Sequence, residues 1–360
     1  MPCKLNSMSV HSLRWMTKKV ILLNKMRFTL ISMIGCCALT LAAAQTFAPD
    51  TKPAPPITGT GDYTVTVDKP LYKAGQGPRV TIDEAHHNYQ TIADRFQGFA
   101  NLLTADGARV LPNRSAFSAE TLAQTDVLVI CNALSAKNAQ EKATINKWAL
   151  PAPEALTDDE IEAITTWVKN GGSLLLIADH MPFPNAVDKL ASSLGIAMGD
   201  NFAFDAAFTY KPGDMNLIKF YEKQPATNTG KLHSNAVVRG RNPSEHIPFV
   251  VTFTGSAFRV KPGAQFTPLL ELGEGTNVAW PSDHADISMK TPFTRGAGLY
   301  QGGLLRTGKG RVAVFGEASM FSVNYAEWVG NYPTGFHNPD APHNKQFVLN
   351  VFHWLAKSIK

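Results

Sequence analysis

Two uninterrupted apolar runs constrain the fold of this chain more than any other feature. "DVLVICNAL" (residues 126–134) and "SLLLIADH" (173–180) each contain five consecutive apolar residues. A strand of this kind is buried on both faces, which is typical of a parallel sheet covered by helices on both sides. The sequence therefore predicts an α/β fold.

The segments around these runs alternate between strand and helix patterns. Thr157 and Glu160 have capping-box spacing at the start of one helix, over 157–172. Because parallel neighbours need crossovers, the alternation predicts a flavodoxin-like, doubly wound, mostly parallel sheet with helices on both faces. Residues 200–300 are less periodic and predict an antiparallel insertion, with strands in 246–260 and 266–272. The other predicted strands are 79–83, 108–112 and 310–318; the other predicted helices are 344–357, 185–196 and a segment that carries Ile92, Phe96, Phe99 and Leu103 and ends at Gly107.

The N-terminus has the pattern of a cleavable export signal. Basic residues precede the apolar run "MRFTLISMIGCCALTLAAA" (26–44), which ends in small residues. We expect residues 1–44 to be a signal peptide with an N-terminal extension, 45–75 to be a linker or arm, and 76–358 to be the folded domain of a periplasmic or secreted protein. The run is short for a membrane span, so no stable span is expected after cleavage. A retained anchor and a lipoprotein are the alternatives.

Charge and cysteine content narrow the function. Residues 1–44 carry six of the 34 basic residues and no acidic one, so 28 basic residues stand against 29 acidic ones in the rest, and the formal charge falls from +5 to −1. A near-neutral chain without a Lys/Arg-rich run is a poor nucleic-acid partner. Cys131 is the only cysteine after residue 44, so no intrachain disulfide is expected there.

The letters D-E-A-H in "VTIDEAHHNYQ" (80–90) match a helicase motif. A helicase needs a phosphate loop, and the nearest candidate, "GGLLRTGKG" (302–310), lacks the hydroxyl residue and leads into a strand. We predict a turn at Thr307–Gly310 and no nucleotide hydrolysis.

Three predicted strands end in polar residues capable of chemistry. In a doubly wound sheet, ligands bind outside the carboxyl ends of the strands. The candidate site residues at these ends are Asp83, His86, His87, Asp179, His180 and Glu317.

The order of these motifs resembles the class I glutamine-amidotransferase-like superfamily. The resemblance covers about residues 76–358, from "DEAHHN" through "VLVIC", "NGGSLLLIADH" and "GKGRVAVFGEASMFS" to the last helix, and is greatest to uncharacterised bacterial domains related to trehalose-utilisation and gliding-motility-type proteins. It implies a glutaminase nucleophile directly after the fourth strand. Asp179 and His180 occupy that position here, and Cys131 lacks a glycine-flanked turn, so we expect a buried thiol and no glutaminase activity.

Two functional hypotheses and a structural alternative are open. The polar edge and the aromatic residues Tyr89, Phe183, Phe204, Phe208 and Trp280 suit a sugar or cell-envelope fragment. The alternative function is a metal-assisted hydrolase, in which the site residues, with His284, His337 and His343 from loops, hold a divalent metal such as zinc. In the structural alternative, Asp83 and Asp179 cap helices and Glu317 meets only solvent.

Overall fold

The computed structural model describes residues 63–140, 147–207, 216–226, 228–282, 290–326 and 330–360. The predicted signal peptide, most of the predicted arm, Phe208 and His284 lie outside these residues. No helix among the described residues is long and apolar enough to cross a membrane.

A parallel half-sheet forms the centre of the domain. Its strands lie in the order β2-β1-β3-β4-β15, and every neighbouring pair is parallel. These strands are β1 (Arg79–Asp83), β2 (Arg109–Asn113), β3 (Val127–Cys131), β4 (Ser173–Ile177) and β15 (Gly310–Phe315). The predicted doubly wound, mostly parallel sheet is therefore confirmed.

Helices cover both faces of this half-sheet because its strands alternate their side chains between two apolar clusters. One cluster packs beneath α1 and α7, and the other packs beneath α2, α4 and α5. The helices are α1 (Gln97–Ala105), α2 (Ala119–Leu122), α3 (Ala136–Ala139), α4 (Asp158–Lys169), α5 (Asp188–Ser193), α6 (Ala236–Arg239) and α7 (Asn344–Leu355), with 3-10 turns at Asn185–Val187, Pro243–Glu245 and Ser319–Phe321.

The insertion extends the sheet, as the sequence predicts. Beyond β15 the order continues β14-β11-β8-β7-β9, and these strands are mainly antiparallel. They are β7 (Ile218–Tyr221), β8 (Gly230–Leu232), β9 (Phe249–Thr252), β11 (Phe266–Glu271) and β14 (Tyr300–Thr307). Smaller sheets are formed by β5 (Ile196–Ala197) with β10 (Arg259–Val260), by β6 (Phe202–Asp205) with β12 (Thr276–Ala279) and β13 (Phe293–Arg295), and by β16 (Val323–Ala326) with β17 (Tyr332–Gly335).

The "TGKG" segment is a hairpin turn between β14 and β15. Thr307 pairs with Gly310 across the turn, and Gly308 has a left-handed φ of 60°. The Lys309 amide donates to the Lys169 carbonyl at the end of α4, at 2.9 Å. This segment supplies a hydrogen-bond donor to a carbonyl at the end of α4 and is not a phosphate loop. The predicted turn is therefore confirmed.

The prediction for α1 was wrong at its start. The helix begins at Gln97, whereas the apolar spacing predicts helix from Ile92 onward. The Glu84 carboxylate accepts the Ile92 amide at 2.8 Å, and the Thr91 carbonyl accepts the Phe96 amide at 3.0 Å. These bonds hold the intervening segment in turns and delay the helix by about one and a half turns.

Candidate functional site

Hydrogen bonds join the loops at the carboxyl ends of β1, β3, β4 and β15. Asn132, which follows β3, accepts the Asp179 amide through its side chain at 2.8 Å and the Tyr89 amide through its carbonyl at 3.0 Å. The Asp179 carboxylate accepts the Ala318 amide from the loop after β15 at 3.2 Å. The polar residues at the strand ends therefore lie along one edge of the sheet.

His86 is held between two carboxylates at this edge. Its Nδ1 lies 2.9 Å from Asp83 Oδ2, and its Nε2 lies 2.8 Å from Glu160 Oε1. The His86 side chain is 8% exposed, and its ring stacks on Phe117 with centroids 5.0 Å apart. Both ring nitrogens are therefore already committed to neighbours within the protein.

The two carboxylates favour the charged imidazole. Burial lowers the pKa of His86, but the hydrogen bonds and charges of Asp83 and Glu160 outweigh burial, so the pKa is raised. Burial raises the pKa of Glu160, but hydrogen bonds from Thr157, the Phe117 amide and His86 outweigh burial. The pKa of Glu160 is therefore lowered. An imidazolium that donates from both nitrogens has no lone pair for a metal or for a substrate proton.

Glu160 is the residue that the sequence analysis missed at this site. Its spacing from Thr157 predicts a capping box, and the structure confirms that box at the start of α4. One carboxylate oxygen caps the helix while the other accepts from His86 and from the Phe117 amide. A capping glutamate is typical of helix starts, so the motif alone carried no signal of a second role.

A second buried group consists of Cys131, Asp179 and Glu317. Glu317 is fully buried, and its two carboxylate oxygens accept the Ser319 and Met320 amides at 2.6 and 2.9 Å. The interpretation of Glu317 as a solvated strand end was therefore wrong, because the loop folds back over its carboxylate. Asp83 and Asp179 also do not cap helices: the Asp179 oxygens accept the His180 and Ala318 amides, and Asp83 accepts from the Ala85 amide and faces His86.

The environment of this group favours the protonated forms. Burial and then the charge of Asp179 raise the pKa of Glu317 well above its usual value, and burial raises the pKa of Asp179 against the opposing effect of His180. Burial, followed by the charges of Asp179 and Glu317, raises the pKa of the Cys131 thiol well above its usual value. Cys131 is a buried thiol, as the sequence predicts, and its environment opposes the thiolate that a nucleophile requires.

We expect Cys131 to be inert towards thiol reagents in the folded protein. Its side chain is 1% exposed and its thiolate is disfavoured by two neighbouring carboxyl groups. The sample is the protein without residues 1–44. Its labelling with 5,5′-dithiobis(2-nitrobenzoate) at pH 8 should require unfolding by guanidinium. Rapid labelling of the native protein would contradict the buried position of the thiol.

The two remaining predicted site residues reach the surface. His87 is exposed and has a left-handed φ of 49°. His180 is half-buried; its Nδ1 lies 2.8 Å from the Met181 carbonyl and its ring stacks on Phe202 at 4.7 Å. Of the six predicted residues, these two are therefore the ones placed to meet a ligand.

Aromatic side chains continue along the edge from His180. Phe183 lies 6.0 Å from His180 and 5.6 Å from Tyr89, measured between ring centroids, and Trp148 packs on the same ring at 6.0 Å. We call Tyr89, Trp148, His180, Phe183 and Phe202 the aromatic row; Tyr89 and His180 are half-buried, whereas Trp148, Phe183 and Phe202 are buried beneath them. Of the other predicted aromatic residues, Phe204 packs on Phe293 and against the apolar cluster that contains Phe202, and the Trp280 indole N–H donates to Thr294.

Among the described residues, no group of three or more His, Cys, Asp or Glu side chains is arranged to hold a metal ion. His337 packs against the rings of Tyr63 and Tyr325, and burial lowers its pKa to about 4. His343 packs against Phe249. The described part of the chain therefore does not bring these loop histidines into a ligand set.

Comparisons with known proteins found similar folds in solved structures. The N-terminal domain of mmIFT52 matches with 13% identity over 77% of this chain and 96% of its own, at a TM-score of 0.49. A ThuA-like protein from Bacteroides uniformis matches with 12% identity over 81% and 96%, at 0.43, and a cytoplasmic protein from Salmonella typhimurium with 13% over 77% and 98%, at 0.41. No family model and no curated protein matches the chain. At these identities and scores, the likeness establishes neither a family nor an activity.

Proposed function

We propose that this protein is an exported, glutamine-amidotransferase-like domain that binds a sugar or a cell-envelope fragment at the carboxyl edge of its sheet and performs no glutaminase chemistry. The two half-buried rings of the aromatic row, Tyr89 and His180, carry the proposal. Ring faces combined with a few polar groups form the usual surface for such ligands, and the carboxyl edge is the usual ligand position in doubly wound sheets.

Binding accounts for the edge better than catalysis because the candidate catalytic groups are already bonded within the protein. Asp179 occupies the position of the glutaminase nucleophile, and its carboxylate accepts two backbone amides. His86 uses both nitrogens on carboxylates, which removes it as a general base and as a ligand in the alternative, metal-assisted hydrolase. These bonds make the edge rigid, and rigidity lowers the entropic cost of binding.

Replacing Tyr89 should weaken ligand binding. Tyr89 is half-buried and contacts Phe183, so Tyr89→Ala removes one ring face from the row. With a glycan identified from an array, isothermal titration calorimetry should give a Kd about tenfold higher for Tyr89→Ala, which corresponds to a loss of about 1.4 kcal/mol. The matched control is Tyr221→Ala: Tyr221 is also half-buried and stacks on Phe249, but it lies on β7, near the far edge of the sheet.

Two results would contradict the proposal. If no glycan or envelope fragment in a broad array bound the wild-type protein, the binding function would be wrong. If the two tyrosine variants weakened binding equally, the ligand would not lie on the aromatic row.

Export is tested separately from binding. The small residues Ala42–Ala44 place signal cleavage near Gln45. N-terminal sequencing of the protein from a bacterial host's periplasmic or secreted fraction should start near Gln45. A protein that retains residues 1–44 and sediments with membranes would instead support the retained anchor.

A further inference from the structure

Arg95 is a buried cation with little to neutralise it. It is 9% exposed, and its Nε–H has no hydrogen-bond partner within the described residues. Its ion pair with Asp94 is long, at 3.9 Å from Nη1 to Oδ2, and the Asp94 side chain is 55% exposed. Since buried guanidinium groups are ordinarily matched by several acceptors, this side chain has hydrogen-bonding capacity left for an anionic ligand.

The ring of Tyr89 holds the guanidinium in place without using its donors. The Cζ of Arg95 lies 4.2 Å from the centroid of the Tyr89 ring. A ring face attracts a cation electrostatically, while the five N–H groups of a guanidinium lie in its own plane and are directed elsewhere. Tyr89 also contacts Phe183, so Arg95 lies at the end of the aromatic row.

The start of α1 adds positive potential beside Arg95. The helix begins two residues later, at Gln97; Phe96 at its N-cap provides no side-chain cap, and its first turn contains no acidic residue. The N-terminus of a nine-residue helix presents amide dipoles that favour an anion. Gln90, in the same loop, is 7% exposed, and its buried Oε1 has no hydrogen-bond partner within the described residues.

We propose that Arg95, lying on Tyr89 at the start of α1, binds the carboxylate of an acidic saccharide whose sugar ring contacts the half-buried members of the aromatic row, Tyr89 and His180. A carboxylate matches the planar guanidinium with two parallel hydrogen bonds. This proposal rests on the proposed binding function and specifies its ligand class as a carboxylate-bearing sugar.

The test uses acidic and neutral sugars of similar shape. Glucuronate is paired with glucose and N-acetylmuramate with N-acetylglucosamine, and inorganic phosphate and sulfate are measured as separate probes. Titration calorimetry on the protein without residues 1–44 should show at least one acidic sugar binding about tenfold or more tightly than its neutral partner, since a charge-assisted pair contributes on this scale.

Variants locate the preference on Arg95. Arg95→Gln should abolish the preference for the acidic sugar, and Arg95→Lys should keep only part of it, because lysine lacks the planar fork. The control is Arg114→Gln, which removes an exposed guanidinium that contacts Glu84 at the same edge and should leave the preference intact. Arg95→Gln should also unfold at no lower temperature than the unliganded wild type, because it removes a buried charge with few partners.

The outcomes separate this proposal from the binding function. Equal binding of acidic and neutral sugars, or an acidic preference that survives in Arg95→Gln, would overturn the carboxylate site and leave the binding function standing. Binding of phosphate or sulfate alone at Arg95 would show an inorganic anion site and overturn the saccharide. Absence of binding to every glycan would overturn both proposals. If Arg95→Gln failed to fold, the comparison of paired sugars on the wild type and on Arg95→Lys would still decide.

Discussion

His86→Ala should lower the free energy of unfolding by about 3–5 kcal/mol, measured by guanidinium unfolding at pH 6. The substitution leaves Asp83 and Glu160 buried around a space from which the positive charge has been removed. It also removes the ring that stacks on Phe117. Removing one partner of a buried ion pair costs more than the pair contributes, because the remaining charge loses its solvation and its counter-ion together.

The destabilisation should depend on pH. The pKa of His86 is higher in the folded protein than the ordinary value of 6.5, so its stabilising contribution is complete below about pH 6.5 and is lost as the pH rises through the folded value. The difference between wild type and His86→Ala should therefore shrink as the pH is raised towards 9.

The control for His86 is His246→Ala. His246 also lies 2.8 Å from a carboxylate, that of Glu222, but it is 40% exposed, so its loss should cost no more than about 1 kcal/mol. Equal costs for the two variants, or a cost for His86→Ala that is constant between pH 6 and 9, would contradict the charged, buried His86.

Local patterns in the sequence predicted most of the fold. Apolar runs buried on both faces fixed β3 and β4, and the Thr157–Glu160 capping box fixed the start of α4. These signals are local, because they depend on residues close together in the chain. The apolar composition of each strand was enough to predict that it is buried. The start of α1 was predicted wrongly because it depends on Glu84, eight residues before the amide of Ile92 that it accepts.

The sequence predicted where the site lies but not which of its side chains bond to each other. The strand ends identified the carboxyl edge of the sheet. However, Glu160, which bonds to His86, lies 74 residues away in the chain and was already explained as a helix cap. Arg95 carried no motif; it is marked by its burial and by an Nε–H that has no hydrogen-bond partner among the described residues. Contacts between distant segments depend on how helices and strands pack, and a single sequence contains no direct record of that packing.

Polar residues at the edge thus divide into two groups with different roles. Asp83, His86, Glu160, Asp179 and Glu317 bond to one another or to backbone amides and fix the loops. Tyr89, His87 and His180 lie at or near the surface of those loops. A rigid inner layer that positions an outer layer is the arrangement that the proposed binding would require if it occurs without rearrangement.

Glu317→Gln should reduce the pH dependence of stability, which is the second large effect we expect. The pKa values of Glu317 and Asp179 are raised above ordinary values of 4.5 and 3.8, so the folded protein retains protons that the unfolded chain releases. Their stabilising contribution is complete below those ordinary values and is lost as the pH rises through the folded ones. Wild-type stability should therefore fall with pH above about 4.5, by up to about 1.4 kcal/mol per pH unit for each retained proton.

Urea unfolding at intervals from pH 5 to 8 measures this slope. Glutamine cannot ionise, so Glu317→Gln should show a shallower decline than wild type. A uniform cost is expected at all pH values, since the glutamine amide leaves one of the Ser319 and Met320 amides without an acceptor. Glu162→Gln, on the exposed face of α4, should keep the wild-type slope. If Glu317→Gln kept that slope as well, the buried carboxyl pair would not retain a proton in the folded state.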